Sequence, residues 1–139
     1  MNQTAIIWPM IAHVVLVYSI YVLIARRRRA AVRAGSAKSS QFRENVVEPP
    51  ESQYVRNNLA NQFELPVLFH SGCLALYVTG GAGLVAVILA WLFVASRCVH
   101  AIVHVTTNRI RHRQPAFALG FLVLGAMWLW LALHLLALV

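Results

Sequence analysis

The stretch that decides the fold of this 139-residue chain is residues 83–106, GLVAVILAWLFVASRCVHAIVHVT. It is apolar through Ser96 and long enough to cross a bilayer, since about 20 apolar residues span the hydrocarbon core. Its last turns then carry Arg97, His100 and His104. An ionised side chain costs roughly 2.5 kcal/mol or more at the centre of a membrane helix. Arg97 therefore predicts a charged partner or a ligand nearby.

Three further stretches have comparable length and composition, and they lie at about residues 4–25, 59–79 and 115–138. Together with 83–106 they predict an all-α integral membrane four-helix bundle that forms a single domain over residues 1–139. The composition agrees, because 60% of the residues are hydrophobic and soluble globular domains have a lower apolar share. Gly80–Gly83 predicts a tight turn between the second and third spans. Pro115 is expected to open the fourth helix, where proline is favoured.

Basic residues concentrate in the loops between the spans. The loop 26–58 holds Lys38 and most of the arginines, and the loop 107–114 holds Arg109, Arg111 and Arg113. Positively charged loops stay in the cytosol, which predicts a multi-pass protein with both termini on the non-cytosolic side.

The four consecutive arginines at 26–29 are typical of a membrane-surface anchor that binds the acidic headgroups of the lipid bilayer. We expect the helix of the first span to continue through them and to break near Gly35. No folded soluble module accompanies the run, which argues against nucleic acid as a partner.

Residues 61–66, NQFELP, bring polar groups into the second span. Asn61 and Glu64 share a helix face at i,i+3, and Pro66 can kink the helix because it leaves the carbonyl of Gln62 without its usual partner. Glu64 lies about 10 Å inside the cytosolic start of this span at 1.5 Å per residue, in the same half of the membrane as Arg97. The two charges can pair directly as a structural contact, or they can act together on a ligand.

Arg97, His100 and His104 follow one face of the third span at i, i+3 and i+7. The histidines have a spacing that suits a metal ion. With one carboxylate nearby and no adjacent cysteine there are too few ligands, so we predict no metal site. An arginine here suits an ion pair with Glu64 or bidentate binding of an anionic ligand.

The order of these parts resembles the MAPEG family, the membrane-associated proteins of eicosanoid and glutathione metabolism. Asn61-x-x-Glu64-x-Pro66-x-x-Phe69 is similar to the pattern that opens helix two of the family. The row Arg97-x-x-His100-x-x-x-His104, followed by the arginines at 109–113, is similar to the row that closes helix three. Two positions differ, because Asn57 stands where the family often has Arg and His104 where it often has Tyr.

The resemblance implies a homotrimer of four-helix protomers that binds glutathione at the cytosolic side, between neighbouring subunits. The residues implied in glutathione binding are Asn61, Glu64, Arg97, His100, His104, Arg56 and Arg26. The resemblance also implies a catalytic arginine near the start of helix four that stabilises the glutathione thiolate. Arg113, then Arg111 and then Arg109 are the candidates for it.

The function that the resemblance implies is a glutathione-dependent transferase or peroxidase acting on lipophilic electrophiles. The chemistry is simple, because a guanidinium beside sulfur favours the nucleophilic thiolate. Two alternatives stay open at this point. One is a non-catalytic membrane subunit or scaffold with the same fold, and the other is a small proton-coupled exporter that uses Glu64. Glutathione binding separates the enzyme from both, and a Glu64-dependent proton-linked flux would identify the exporter.

Overall fold

A computed structural model describes residues 2–44 and 47–137, and within them the chain is helical with no strand. A 3₁₀ helix at Gln3–Ile6 leads into six α-helices: α1 (Ile7–Arg33), α2 (Ser39–Arg43), α3 (Pro50–Asn61), α4 (Leu65–Val78), α5 (Leu84–Val105) and α6 (Ile110–Leu136). In this part of the chain, three helical segments are long and apolar enough to cross a membrane: Gln3–Arg33, Leu84–Val105 and Ile110–Leu136. The all-α prediction is confirmed.

The predicted second span, 59–79, is divided into two helices. α3 ends at Asn61 and α4 begins at Leu65, and between them Glu64 has φ −97° and ψ −106°, outside the helical region. Pro66 contributes to the break because it has no N–H to donate to the carbonyl of Gln62. α4 has 14 residues, which at 1.5 Å per residue is about 21 Å, shorter than a hydrocarbon core of about 30 Å. Residues 62–64 therefore lie between the two helices, outside regular helix geometry.

The end of α1 agrees with the prediction from the sequence, whereas the start of α6 differs from it. α1 continues through the arginines to Arg33, and Gly35 follows with φ +73°, which glycine adopts without strain. α6 begins at Ile110, so Pro115 lies inside the helix instead of opening it. α6 begins before Pro115 because the backbone N–H groups of His112 and Arg113 already bond to the carbonyl of Arg109, at 3.1 and 3.0 Å.

The predicted turn between the second and third spans is present, and the N-terminus packs against it. Gly80 takes a positive φ of +75°. The backbone N–H of Ala82 donates to Gln3 Oε1 at 2.9 Å, and a ring nitrogen of His134 lies 3.0 Å from the carbonyl of Thr79. The N-terminus, this turn and the end of α6 therefore meet at one end of the bundle.

Two apolar clusters hold the helices together. The larger includes Phe69 of α4 stacked on Phe93 of α5, with 4.5 Å between ring centroids. The smaller joins the second half of α1 to α3 and to the end of α5, through Ile24, Val55 and Ala101. It lies toward the two basic loops, which share the end of the bundle opposite the Gly80 turn. Which end faces the cytosol stays a prediction.

Candidate functional site

Arg97 is the most enclosed charge in the described chain. Its exposed fraction is 0%, and its Nη2 donates to the main-chain carbonyl of Asn61 at 3.0 Å. That carbonyl is available because α3 ends there. Nε and Nη1 of Arg97 are buried without a hydrogen-bond partner. A buried donor left unpaired costs about 1–3 kcal/mol, and more when the group is charged, so Arg97 has unused capacity to bind an acceptor.

Glu64 and Arg97 do not form an ion pair in this structure. Glu64 lies on the exposed surface of the protomer, where α3 passes into α4. Its charge is nevertheless close enough to act favourably on Arg97. Of the two arrangements that the sequence left open, direct pairing is therefore not observed within one protomer.

A cavity of about 240 Å³ lies where the end of α3 meets α5 and the start of α6. Gln114 and Phe117 form part of its lining. The other lining residues are five that the sequence predicted for the site: Asn61, Glu64, His100, His104 and Arg113. Arg97 is next to this cavity, because it bonds to Asn61 and its guanidinium lies 6.0 Å from the centroid of the Phe117 ring. The cavity therefore combines one carboxylate with two guanidinium groups in its surroundings.

Arg113 is held in the cavity wall by two neighbours. Its Nη1 donates to Asn108 Oδ1 at 2.6 Å and lies 3.1 Å from His104 Nε2. Asn108 reaches this position from a left-handed backbone conformation with φ +49°. Because arginine can only donate, His104 Nε2 accepts this bond and the ring is neutral. The remaining donors of Arg113 are on Nε and Nη2, so the guanidinium can still bind a ligand.

Besides Arg97, which lies next to the cavity, Arg26, Arg56 and Arg111 lie outside it, and so does Arg109, the last candidate for the catalytic arginine. Arg26 and Arg111 are exposed on α1 and α6 and do not line it. Arg56 contacts Glu48 instead, with 3.2 Å between Nη1 and Oε1. Their predicted roles in glutathione binding and catalysis stay predictions, as do those of the residues in the cavity.

Glu48 forms a charged cluster that the sequence did not reveal. Arg28 donates to both of its carboxylate oxygens, at 3.0 and 3.1 Å, and Arg56 adds a third contact. The Glu48 side chain is only 1% exposed. Burial raises the pKa of this carboxyl, but the hydrogen bonds from Arg28 and Ser52 and the charges of both arginines outweigh burial, so the pKa lies below its usual value. The cluster ties the loop after α2 to α1 and α3.

A hydrogen-bonded chain inside the membrane-spanning region was also missed by the sequence reading. His13 Nδ1 lies 3.1 Å from His70 Nε2, and His13 Nε2 lies 3.2 Å from Gln62 Oε1. Gln62 in turn donates to the carbonyl of Asn58 at 3.2 Å. The signal was present, because a histidine in each of two apolar spans is an intramembrane ionisable residue that calls for a partner.

A comparison with protein-family models matches residues 5–133 to the MAPEG family. The match covers nearly the whole chain, including the cavity residues and most of every predicted span. No curated protein and no solved structure matches the chain.

Proposed function

The chain belongs to the MAPEG family, and from that premise we propose that it is a glutathione-dependent transferase or peroxidase acting on lipophilic electrophiles. It is a multi-pass membrane protein. The observation that carries the proposal is the cavity at the end of α3, where Glu64 and Arg113 line the same space and Arg97 lies behind Asn61. A zwitterionic tripeptide needs such a mixture of charges.

Each charged group of glutathione has a counterpart of opposite sign. Its ammonium group would bind the carboxylate of Glu64, which is exposed on the protomer and makes no ion pair there. Its carboxylates would bind guanidinium groups, because charge-assisted bonds to carboxylate are the strongest that arginine makes. Arg97 has two donors without a partner for this purpose.

The thiol would be activated by Arg113. A guanidinium next to sulfur lowers the pKa of the thiol below its ordinary value of about 8.5. The thiol proton then leaves to solvent, and the thiolate sulfur attacks the electrophilic carbon of the lipophilic substrate while the leaving group departs with its electron pair. His104 and Asn108 would hold Arg113 in position through the two bonds to its Nη1.

The size of the cavity supports assembly into a homotrimer. Its volume of about 240 Å³ is below the range of roughly 300–1,000 Å³ typical of ligand pockets. Glu64, one of its walls, is exposed on the isolated protomer. A neighbouring subunit would complete the site and cover Glu64, and we propose the trimer on this ground and on the family resemblance. A native mass of one or two protomers in mild detergent would contradict it.

The test of the ligand is glutathione binding to the detergent-purified protein, with Glu64→Gln compared to Glu51→Gln. Glu51 is an exposed acid in the first turn of α3, away from the cavity. We expect Glu64→Gln to weaken binding by about tenfold or more, since a hydrogen bond to a charged group contributes about 1.5–3 kcal/mol, while Glu51→Gln binds as the wild type does. Wild-type protein that binds no glutathione would point to a non-catalytic membrane subunit.

The test of the chemistry compares Arg113→Ala with Arg111→Ala, two arginines that are two residues apart on α6 and of which only Arg113 lines the cavity. With an aryl halide as the electrophile, we expect Arg113→Ala to reduce kcat by at least about tenfold and to change KM for glutathione less, because the thiolate is stabilised chiefly in the transition state. Arg111→Ala should retain the wild-type rate. The opposite ranking would move the catalytic role to Arg111.

A further inference from the structure

A cleft of about 290 Å³ lies between the last turns of α1 and the short helix α2. Three arginines of α1, one hydroxyl of α2 and two apolar side chains line this α1–α2 cleft: Arg28, Arg29, Arg33, Ser39, Val32 and Phe42. It shares no lining residue with the cavity around Glu64. The cleft is therefore a basic site separate from the one proposed for glutathione.

The three arginines of the cleft differ in how their charge is used. Arg28 donates to both carboxylate oxygens of Glu48, and its guanidinium lies 5.0 Å from the centroid of the Phe42 ring. Arg29 and Arg33 are exposed, and neither side chain has a hydrogen-bond or ion-pair partner among the described residues. The cleft therefore contains one neutralised cation and two that are free to bind an anion.

The two free arginines are placed to hold one anion between them. Arg29 and Arg33 are four residues apart on α1, which continues through both of them, so their side chains lie next to each other on one face. Like charges at this spacing destabilise a helix, and the lining of the cleft has no acidic residue to offset them. An anion that accepts hydrogen bonds from both guanidinium groups removes the repulsion.

Phosphate is the anion that suits this set of donors best. Guanidinium groups bind phosphate oxygens in a bidentate manner, and a phosphomonoester has enough oxygens to accept from two arginines and from a hydroxyl. Ser39 provides that hydroxyl from α2, and its side chain makes no hydrogen bond within the described part of the chain. The donors thus come from both walls of the cleft.

The position of the cleft along α1 indicates a lipid headgroup as the source of the phosphate. The apolar span ends at Ala25, so Arg29 lies about 6 Å and Arg33 about 12 Å beyond it at 1.5 Å per residue. The headgroup layer on each side of a bilayer is roughly 5–8 Å thick. Because helical side chains tilt toward the N-terminus, the guanidinium of Arg33 reaches back toward this layer.

We propose that the α1–α2 cleft binds the phosphate of an acidic phospholipid. Arg29 and Arg33 bind its oxygens from α1, Ser39 donates to it from α2, and the glycerol backbone and first acyl carbons lie against Val32 and Phe42. A bound lipid would thereby fix α2 against the end of α1.

The proposal narrows the attraction that the sequence predicted between the arginines at 26–29 and acidic headgroups. Within that run only Arg29 is available in the cleft, because Arg28 is paired with Glu48, while Arg26 and Arg27 do not line it. The site goes beyond the proposed glutathione chemistry and does not depend on it. Lipid binding can be measured without glutathione, so failure of either proposal leaves the other intact.

The experiment titrates the detergent-purified full-length protein with short-chain phosphatidic acid and follows the bound lipid by native mass spectrometry. The double variant Arg29→Gln/Arg33→Gln is compared with Arg26→Gln/Arg43→Gln, which removes two exposed arginines of the same segment that lie outside the cleft. We expect the first to weaken Kd by about tenfold or more and the control by less than about twofold, since isolated surface charges contribute little. Equal losses would show unspecific attraction to the basic segment and would overturn the proposal. So would wild-type protein that binds phosphatidic acid no more tightly than phosphatidylcholine.

A variant that keeps both charges tests whether the cleft is a built site. Arg29→Lys/Arg33→Lys retains the positive charges but loses the planar guanidinium groups, so we expect Kd to weaken by about threefold or more. Because lysine is also a good helix former, α1 should keep its structure. Wild-type affinity in this variant would show that charge alone attracts the lipid, which would overturn the assignment.

Glycerol 3-phosphate separates a lipid from a soluble phosphate ester. It carries the same phosphomonoester as phosphatidic acid but has no acyl chains. We expect it to bind at least about tenfold more weakly than the lipid, because it leaves the apolar surface of Val32 and Phe42 uncovered. Equal affinity would assign the cleft to soluble phosphate esters and would overturn the assignment to a lipid.

Discussion

The carboxylate of Glu48 contacts two arginines, whereas Arg97 is buried with no carboxylate in contact. Arg28 and Arg56 keep about a third of their side chains in solvent and still make three short contacts to Glu48. Arg97 is fully buried, with one hydrogen bond and two donors without a partner. The better-solvated arginines are the paired ones, which is the reverse of what stability alone favours.

The contrast separates a structural use of arginine from one that fits the ligand binding we propose. The Glu48 cluster joins α1, α3 and the loop between them just outside the apolar part of the bundle. Arg97 is held beside a cavity by the main chain of Asn61, at the point where α3 breaks. Unused donors in such a place fit a ligand-binding residue, since buried polar groups are otherwise almost always paired.

Glu48→Gln should have the largest effect on stability, because it leaves Arg28 and Arg56 without their carboxylate. We expect the free energy of unfolding in detergent to fall by about 2–3 kcal/mol, below the roughly 3–5 kcal/mol of a fully buried pair because both arginines are partly solvated. A denaturant titration measures it. Glu51→Gln, an exposed acid nearby, is the control and should stay within about 0.5 kcal/mol of the wild type. Equal losses of stability in Glu48→Gln and Glu51→Gln would contradict a structural role of Glu48.

Low pH should remove the stabilisation that Glu48 gives to the wild-type protein. The pKa of Glu48 is lowered in the folded state, so its stabilisation is present above the unfolded pKa of about 4.3 and is lost as the pH falls through the lower folded value. We expect the melting temperature of the wild type to fall more steeply below about pH 4.3 than that of Glu48→Gln. Parallel curves would show that other carboxyls control acid unfolding.

Gly120→Ala should have an intermediate effect, because it tests how α6 seals Arg97 from its surroundings. A Cβ at Gly120 would lie 2.7 Å from Ser96 Oγ and 3.9 Å from Arg97 Cδ. Either α6 shifts, or the Ser96 hydroxyl rotates away and loses its bond to the carbonyl of Phe93, at about 1–2 kcal/mol in both cases. Gly125 lies on the same helix with open space at its Cβ. Gly125→Ala should therefore stabilise slightly, by up to about 1 kcal/mol. Similar values for the two variants would show that Gly120 is not a tight contact.

The sequence predicted the parts of this molecule that depend on local pattern. Hydropathy and length identified the helices that became α1, α5 and α6, and the spacings Asn61–Glu64 and Arg97–His100–His104 identified most of the cavity. What it did not predict depends on contacts between distant residues. The bond between His13 and His70 joins residues 57 apart in the chain, and the contact of Arg28 with Glu48 joins residues 20 apart. No periodicity along the chain encodes such contacts.

Arg97→Met should change stability least, although it replaces a completely buried side chain. The variant loses one charge-assisted hydrogen bond to Asn61, which destabilises it, and it also removes a buried guanidinium with two unpaired donors, which offsets that loss. We expect the free energy of unfolding to stay within about 1 kcal/mol of the wild type. Arg28→Met, which loses a bidentate pair with Glu48, should be more destabilised in the same titration. A loss of about 3 kcal/mol or more in Arg97→Met would mean that Arg97 is paired in the assembled protein, with Glu64 of a neighbouring subunit as the nearest candidate. In that case the contrast between the two arginine environments would disappear.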